Sequence, residues 1–173
     1  MKFATKACAA VLAMGMASSA SAMVVTDTNN PYVYLTRGQS HTVTHDLTDN
    51  GVPGSYVVKA AKVRLGFYDG FFYDLAGDWA SLSGDGLSGT WEVDGSFFFY
   101  DIRTRYVGPD GINTLNNSGL LDVTITALNT RYNDFWWKTS KLIAKIEPVP
   151  EPATLALLGL GLLGLGVARR KTA

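Results

Sequence analysis

Cysteine is nearly absent from this chain of 173 residues, and the single one is Cys8. It lies in an N-terminal segment that we predict to be removed, so the mature chain has no thiol. The lack of thiols excludes disulfides, thiol catalysis and zinc sites built on cysteine. The apolar core must therefore stabilise the domain by itself, and a body of about 125 residues is long enough to bury one.

The sequence also lacks an excess of basic residues. Residues 23–150 contain 10 Lys and Arg and 14 Asp and Glu, which gives them a net charge of −4. Because a nucleic-acid-binding surface must neutralise phosphates, we predict no nucleic-acid partner. The sequence also lacks the Gly-x-Ser-x-Gly, His-Glu-x-x-His and P-loop motifs. We therefore predict a protein that is not an enzyme and has no cofactor.

The first 22 residues have the three parts of a secretory signal peptide. Lys2 and Lys6 are basic, residues 7–17 are apolar and too few to span a bilayer, and Ala20-Ser21-Ala22 is a small-residue cleavage site. We predict that the chain is exported across the inner membrane by the export machinery and cleaved after Ala22 by signal peptidase. A lipoprotein anchor is excluded because Cys8 precedes most of the apolar run.

The C-terminal segment, residues 148–173, also has three parts. Val149-Pro150-Glu151-Pro152 precedes an apolar run of 16 residues from Ala153 to Ala168, and Arg169-Arg170-Lys171 follows the run. A helix of that length spans roughly 24 Å, which is short of a hydrocarbon core near 30 Å. We predict a short transmembrane helix that anchors the chain transiently, with the basic cluster on the cytoplasmic side.

This three-part segment resembles the PEP-CTERM sorting signal, which is also labelled the ice-binding protein C-terminal domain. The resemblance rests on Val149-Pro150-Glu151-Pro152, on the Leu- and Gly-rich run, and on Arg169-Arg170-Lys171. It implies an exosortase, a membrane enzyme that recognises Pro-Glu-Pro and removes the tail, so Pro150, Glu151 and Pro152 would be recognition residues of a substrate. It also implies a Gram-negative bacterium that makes exopolysaccharide, and sorting to the cell envelope or extracellular matrix.

Residues 23–147 alternate apolar and polar side chains in several segments, which predicts β-strands. Turn residues separate these segments, among them Gly108-Pro109-Asp110-Gly111 and Asn116-Asn117. We predict an all-β body, an antiparallel β-sandwich of jelly-roll type, in which residues 129–133 close a hairpin. The clearest strand segments are residues 39–47, 57–68, 121–127 and 136–146, and further candidates are residues 32–36, 88–93 and 97–102.

The body also resembles, loosely, exported bacterial β-sandwich domains of unknown function. The similar stretches are residues 44–51, 59–63 and 119–125 and Asp134-Phe135-Trp136-Trp137. This resemblance implies an exported domain and no particular activity.

Two histidines and several acidic residues are candidate site residues. His41 and His45 share one face of a strand about 13 Å apart, which is too far for both to bind one metal, so we predict that they pack in the core. An Asp- and Asn-rich turn has the oxygen ligands that suit calcium, although such residues also form ordinary turns. The candidate calcium ligands are Asp46, Asp49 and Asn50, and a second acidic cluster consists of Asp69, Asp74 and Asp78.

Aromatic residues are concentrated in short runs. Because successive side chains of a strand face opposite ways, some rings in each run must point away from one core face. The Trp side chains that could stack on a sugar are Trp79, Trp136 and Trp137. The alternative is that these rings fill the core of the sandwich and cover its edges.

Three functions remain open. The first is an exported, non-catalytic β-sandwich protein of the cell envelope or extracellular matrix. The second is a carbohydrate-binding module for exopolysaccharide, which exposed Trp rings in a flat cleft would favour. The third is an unrecognised glycan-active enzyme, which two carboxylates facing each other in a groove would favour.

Overall fold

The computed structural model describes residues 21–52, 54–69, 77–94, 100–128, 133–149 and 159–160. Residues Ala22–Glu147 form one compact unit, which we call the body. The buried apolar side chains of the described core lie between Val25 and Ile146, so the body has a hydrophobic core of its own.

The body contains nine described strands and one α-helix, named here in chain order. A 3₁₀ helix, Thr48–Asn50, follows the third strand. The strands are β1 Met23–Asn29, β2 Val33–Thr36, β3 Ser40–Asp46, β4 Tyr56–Tyr68, β5 Asp78–Gly84, β6 Leu87–Val93, β7 Asp101–Tyr106, β8 Leu120–Ala127 and β9 Asp134–Pro148, and the helix is α1 Pro109–Ser118.

The strands form two sheets. Sheet A has the order β1-β9-β4-β7, with β2 also paired to β9, and sheet B has the order β3-β8-β5-β6. Without β2, the eight remaining strands have the order 1-8-3-6 in one sheet and 2-7-4-5 in the other, which is the jelly-roll arrangement. The prediction of an all-β antiparallel sandwich is therefore confirmed.

The core lies between the inner faces of the two sheets. On β8 the residues at alternate positions from Leu121 to Ala127 are fully buried, and on β9 the same holds from Ser140 to Ile146. Each fully buried Leu, Ile or Phe side chain contributes roughly 1.5–3 kcal/mol relative to an exposed one. This packing replaces the disulfides that the sequence lacks.

Strand β9 changes its alternation halfway along. Phe135 and Trp137 are buried in its first half, whereas Ser140 and Leu142 are buried in its second half. The inward positions thus shift from odd to even numbers, which is the signature of a β-bulge at Lys138–Thr139. At the same point β9 changes its neighbour from β2 to β1. The bulge keeps core residues inward on both halves of the strand.

Two predictions about the connections are wrong. Gly108-Pro109-Asp110-Gly111 and Asn116-Asn117 were expected to be turns, but Pro109–Ser118 is helix α1, with Pro at its first position and Gly119 closing it in a left-handed conformation. Residues 129–133 do not close a hairpin, because β8 lies in sheet B and β9 in sheet A.

Most of the predicted signal peptide and most of the C-terminal segment lie outside the described residues. Val149 is described and exposed. Across the described ranges, no helix has the length and apolar composition needed to cross a membrane.

Candidate functional site

The structure separates the three tryptophans predicted as sugar contacts. Trp136 faces outward from sheet A, and Trp79 faces outward from sheet B with 38 % of its surface exposed. Trp137 is fully buried between the sheets, so neither face of its ring is open to a ligand. Among the described residues, Trp136 is the one of the three whose ring contacts other outward-facing rings.

Those rings form a row across the outer face of sheet A. Tyr34 of β2 lies directly opposite Trp136 of β9, and their ring centres are 5.2 Å apart. Tyr32 contacts the same indole at 5.7 Å, and Tyr68 contacts Tyr100 at 6.5 Å. We call these five residues the aromatic row.

The ammonium of Lys138 joins the two halves of this row. Its Nζ lies 3.3 Å from the ring centre of Tyr32, 4.8 Å from that of Trp136 and 5.3 Å from that of Tyr68. Cation–π contacts at such distances are attractive, most of all where water is excluded, and Lys138 is 8 % exposed. The shift of alternation in β9 puts Lys138 on the same face as these rings, where its ammonium contacts three of them.

Two further details concern Tyr32 and Tyr34 of the aromatic row, namely backbone strain at the first and a hydrogen bond at the second. Tyr32 has φ of 50°, a left-handed conformation that an aromatic residue rarely adopts and that costs roughly 1–3 kcal/mol. Burial, followed by the hydrogen bond to Asp134, raises the pKa of Tyr34 to about 12. The phenol of Tyr34 is therefore neutral and donates to the Asp134 carboxylate. Backbone strain of this kind is concentrated at functional sites.

A partly open groove of about 250 Å³ adjoins the row on the same face. Tyr100 belongs to both, because its ring lines the groove. Gly66 forms part of the floor, where a Cβ atom would lie only 2.5 Å from the Oγ1 of Thr139. The full lining is Thr28, Arg64, Leu65, Gly66, Tyr100, Ile102, Thr139 and Lys141.

Basic residues are concentrated on this face, although the body carries net negative charge. Lys62 and Arg64 alternate with buried residues of β4, and Lys141 and Lys145 alternate with buried residues of the neighbouring strand β9. We call these four residues the basic stripe. In the described part of the chain, the salt bridges involve other residues and none reaches the stripe.

A different group of polar residues lies inside the sandwich. The Nδ1 of His45 is 2.7 Å from the Oδ2 of Asp27, and its Nε2 is 2.8 Å from the Oγ of Ser140. Burial lowers the pKa of His45 below its usual value of 6.5, and the opposing effect of Asp27 is smaller. The ring is therefore neutral, its Nδ1–H donates to Asp27, and its Nε2 accepts from the Ser140 hydroxyl.

This Asp–His–Ser order is that of a hydrolase triad, but its position indicates a structural role. His45 and Ser140 are fully buried, so a substrate carbonyl has no route to the Ser140 oxygen without opening the sandwich. Asp27 and Ser140 belong to sheet A and His45 to sheet B, so the hydrogen bonds join the two sheets at the β1–β3 edge. We expect this network to stabilise the fold.

The predicted calcium ligands bond to their own turn. The Oδ1 of Asp46 accepts from the Thr48 backbone N–H at 2.7 Å and from its hydroxyl at 2.6 Å, and these bonds lower the pKa of Asp46. The amide of Asn50 donates to the Asp46 carbonyl oxygen. Over the ranges that the structure describes, His, Cys, Asp and Glu nowhere form a group of three or more that could hold a metal ion. Calcium binding by Asp46, Asp49 and Asn50 stays a prediction.

The second acidic cluster is only partly described. Asp78 is buried at the start of β5 and accepts the Asp134 backbone N–H at 2.9 Å. Asp74 lies outside the described residues, as do Pro150, Glu151, Pro152, Arg169, Arg170 and Lys171.

Most of the candidate surface could not be predicted from the amino-acid sequence. Tyr32, Tyr34 and Lys138 were not singled out, because their common face depends on which strand lies beside β9. The signal that could have found Tyr34 is the alternation of β2, where Leu35 is buried and its neighbours face outward. No sequence signal joins Asp27 to His45.

The fold and its surfaces define a jelly-roll β-sandwich with an aromatic and basic outer face. Residues 148–171 match the PEP-CTERM protein-sorting motif, so the chain carries that motif and the resemblance is confirmed. The motif implies export, processing by an exosortase and sorting to the envelope or beyond it. No curated protein matches the chain.

Solved structures with similar folds match at low identity. FlhE is 15 % identical with a TM-score of 0.43, and the match covers 75 % of this chain and 100 % of that one. The CBM36-1 domain of a multidomain xylanase from the hindgut metagenome of Trinervitermes trinervoides is 14 % identical, with a TM-score of 0.41 and coverage of 70 % and 96 %. The decameric BFDV capsid protein is 9 % identical, with a TM-score of 0.45 and coverage of 75 % and 99 %. These similarities carry no inference about a ligand.

Proposed function

We propose that the body is a non-catalytic glycan-binding module of the cell envelope or extracellular matrix. The observation that carries the proposal is the aromatic row beside the groove on sheet A. Exposed rings on strands present flat apolar faces with polar edges, which is the kind of surface on which a sugar ring stacks. The rings are also positioned in advance, because Lys138 and Trp136 lie on a central strand and restrict their movement.

The sorting part of the proposal rests on the C-terminal motif. Signal peptidase would cleave after Ala22, and the apolar run 153–168 would hold the chain in the membrane until an exosortase acts at Pro150-Glu151-Pro152. The body would then reach the exopolysaccharide outside the cell. Export would bring the module to the side of the membrane on which such a polymer would lie.

The non-catalytic part rests on the burial of Ser140 and His45. A triad whose nucleophile is closed inside the core cannot accept a substrate without local unfolding. An esterase activity of the purified body that disappears in Ser140→Ala while the fold is retained would overturn this part of the proposal.

Binding can be tested with the purified body, residues 22–147, and the exopolysaccharide of the source organism. We expect Trp136→Ala to weaken binding about tenfold in isothermal titration calorimetry, which corresponds to about 1.4 kcal/mol. Trp79→Ala is the matched control, because Trp79 faces outward from the opposite sheet and should leave affinity unchanged. Equal losses in both variants, or no binding to any polysaccharide by the folded body, would refute the proposal.

A further inference from the structure

We infer that the groove on sheet A selects acidic polysaccharides, with Arg64 and Lys141 binding the carboxylates of uronic acid residues. This inference rests on the proposed glycan-binding function and assigns its ligand class. The groove holds about 250 Å³, below the roughly 300–1,000 Å³ of drug-sized sites, so it can hold only a small part of a polymer.

The surface of the groove is mostly apolar, which suits the face of a sugar ring, and its two charged lining residues, Arg64 and Lys141, fit a carboxylate on that sugar. Arg64 offers a planar fork of N–H donors that matches a carboxylate in two-point geometry, and Lys141 adds a second positive charge. Tyr100, which is 61 % exposed, provides a ring face in the same groove. Thr28 and Thr139 add hydroxyl groups that can bond to sugar hydroxyls. A neutral sugar would use the ring and the hydroxyls but leave both cations without a partner.

The positive charges of the basic stripe also favour an anionic polymer as the ligand. The basic stripe places Lys62 and Arg64 about 7 Å apart along β4, at two residues of strand, and like charges at that distance repel each other. The repulsion is unrelieved by salt bridges within the described residues. A chain with repeated carboxylates that follows β4 and β9 would neutralise the stripe beyond the groove.

The shape of the site favours a polysaccharide over a membrane. The cations line a groove that is flanked by aromatic rings, whereas a lipid surface would meet the most protruding side chains. A single extended polymer can enter the groove and continue along the aromatic row, since Tyr100 belongs to both.

The test compares two polymers with the same sugar backbone, polygalacturonate and its fully methyl-esterified form. We expect the body to bind polygalacturonate about tenfold more tightly, and to lose this preference as salt is raised from about 0.05 to 0.5 M. The double substitution Arg64→Gln/Lys141→Gln should abolish the preference, because binding of polygalacturonate should fall to the level of the ester. Arg37→Gln, in the turn between β2 and β3, is the matched charge control and should bind like the wild type.

The outcomes separate this inference from the proposed function. Equal affinity for the two polymers, lost in Trp136→Ala, would overturn the inference and support glycan binding. Unchanged selectivity in the double variant would also overturn it. Tighter binding to phosphatidylglycerol vesicles or to DNA than to polygalacturonate would assign the stripe to another polyanion and overturn it as well. Absence of binding to every polysaccharide would overturn the proposed function and the inference with it.

Discussion

Acidification should destabilise the body through His45. The ring is buried and neutral in the folded state, and burial keeps its pKa below the value of 6.5 that it has when exposed. Below pH 6.5 the unfolded chain therefore binds a proton that the folded chain does not. Because the state that binds more protons is favoured as pH falls, the free energy of unfolding decreases on acidification and is constant above about pH 7.

The change in the free energy of unfolding per pH unit has an upper limit. One proton taken up by the unfolded chain alone lowers the free energy of unfolding by at most about 1.4 kcal/mol per pH unit. The carboxylate of Asp46 also has a lowered pKa, but its effect begins only as pH falls to its unfolded value near 3.8. The interval from pH 6.5 to 5 therefore isolates His45 from Asp46.

Urea unfolding followed by Trp fluorescence between pH 8 and 5 measures this slope. His45→Gln removes the titrating group, so its slope over pH 6.5–5 should vanish although its stability at pH 7 is lower. His41→Gln is the matched control, because His41 lies on the same strand and is half-exposed, and it should keep the slope. An NMR titration of the His45 ring gives the folded-state pKa directly.

Stability that is unchanged or increased between pH 6.5 and 5 would refute the reasoning. It would mean that the ion pair with Asp27, at 2.7 Å, balances the burial of the imidazolium if stability is unchanged, and outweighs it and raises the pKa if stability increases. The Ser140 hydroxyl does not decide the outcome, since it can donate to the neutral ring and accept from the charged one.

Three other predictions concern the core, the turn and the tail. Ser140→Ala leaves Nε2 of His45 without its donor and should cost about 1–3 kcal/mol in urea unfolding, and a loss near zero would contradict the assigned hydrogen bond. If Asp46, Asp49 and Asn50 bind calcium, millimolar calcium should raise the Tm of the wild type but not of Asp46→Ala, and an unshifted wild-type Tm would exclude the site. Mass spectrometry of protein secreted by the native cell should show chains without residues 169–171, and chains that retain them would contradict exosortase processing.

Much of the sandwich could be predicted because strands with one buried face show alternating apolar and polar residues in the sequence. Residues 121–127 and 57–68 carry that pattern and became β8 and β4. Strands β1 and β5 were missed because each buries few large side chains. Helix α1 was missed because its buried residues are only Gly111 and Leu115, and its Pro, Gly and Asn residues are also typical of turns.

The candidate site could be predicted in part only. Alternation shows that Trp136 and Trp137 point to opposite faces, but not which of the two is buried, since that depends on the bulge next to them. It also cannot show that Trp79 belongs to the other sheet. The hydrogen bonds among Asp27, His45 and Ser140 join three strands distant in sequence, so no local pattern contains them.

The position of β9 has a consequence for the order of folding. This strand is the last of the body to leave the ribosome, yet it lies in the middle of sheet A between β1 and β4. Met23 pairs with Ile146, so about 120 further residues must be synthesised after β1 begins before its partner strand is complete. Contacts at such separation form slowly, because the chain must close a long loop before they stabilise it. Sheet A therefore cannot be completed until β9 has been made, so closure of the sandwich is expected late in synthesis.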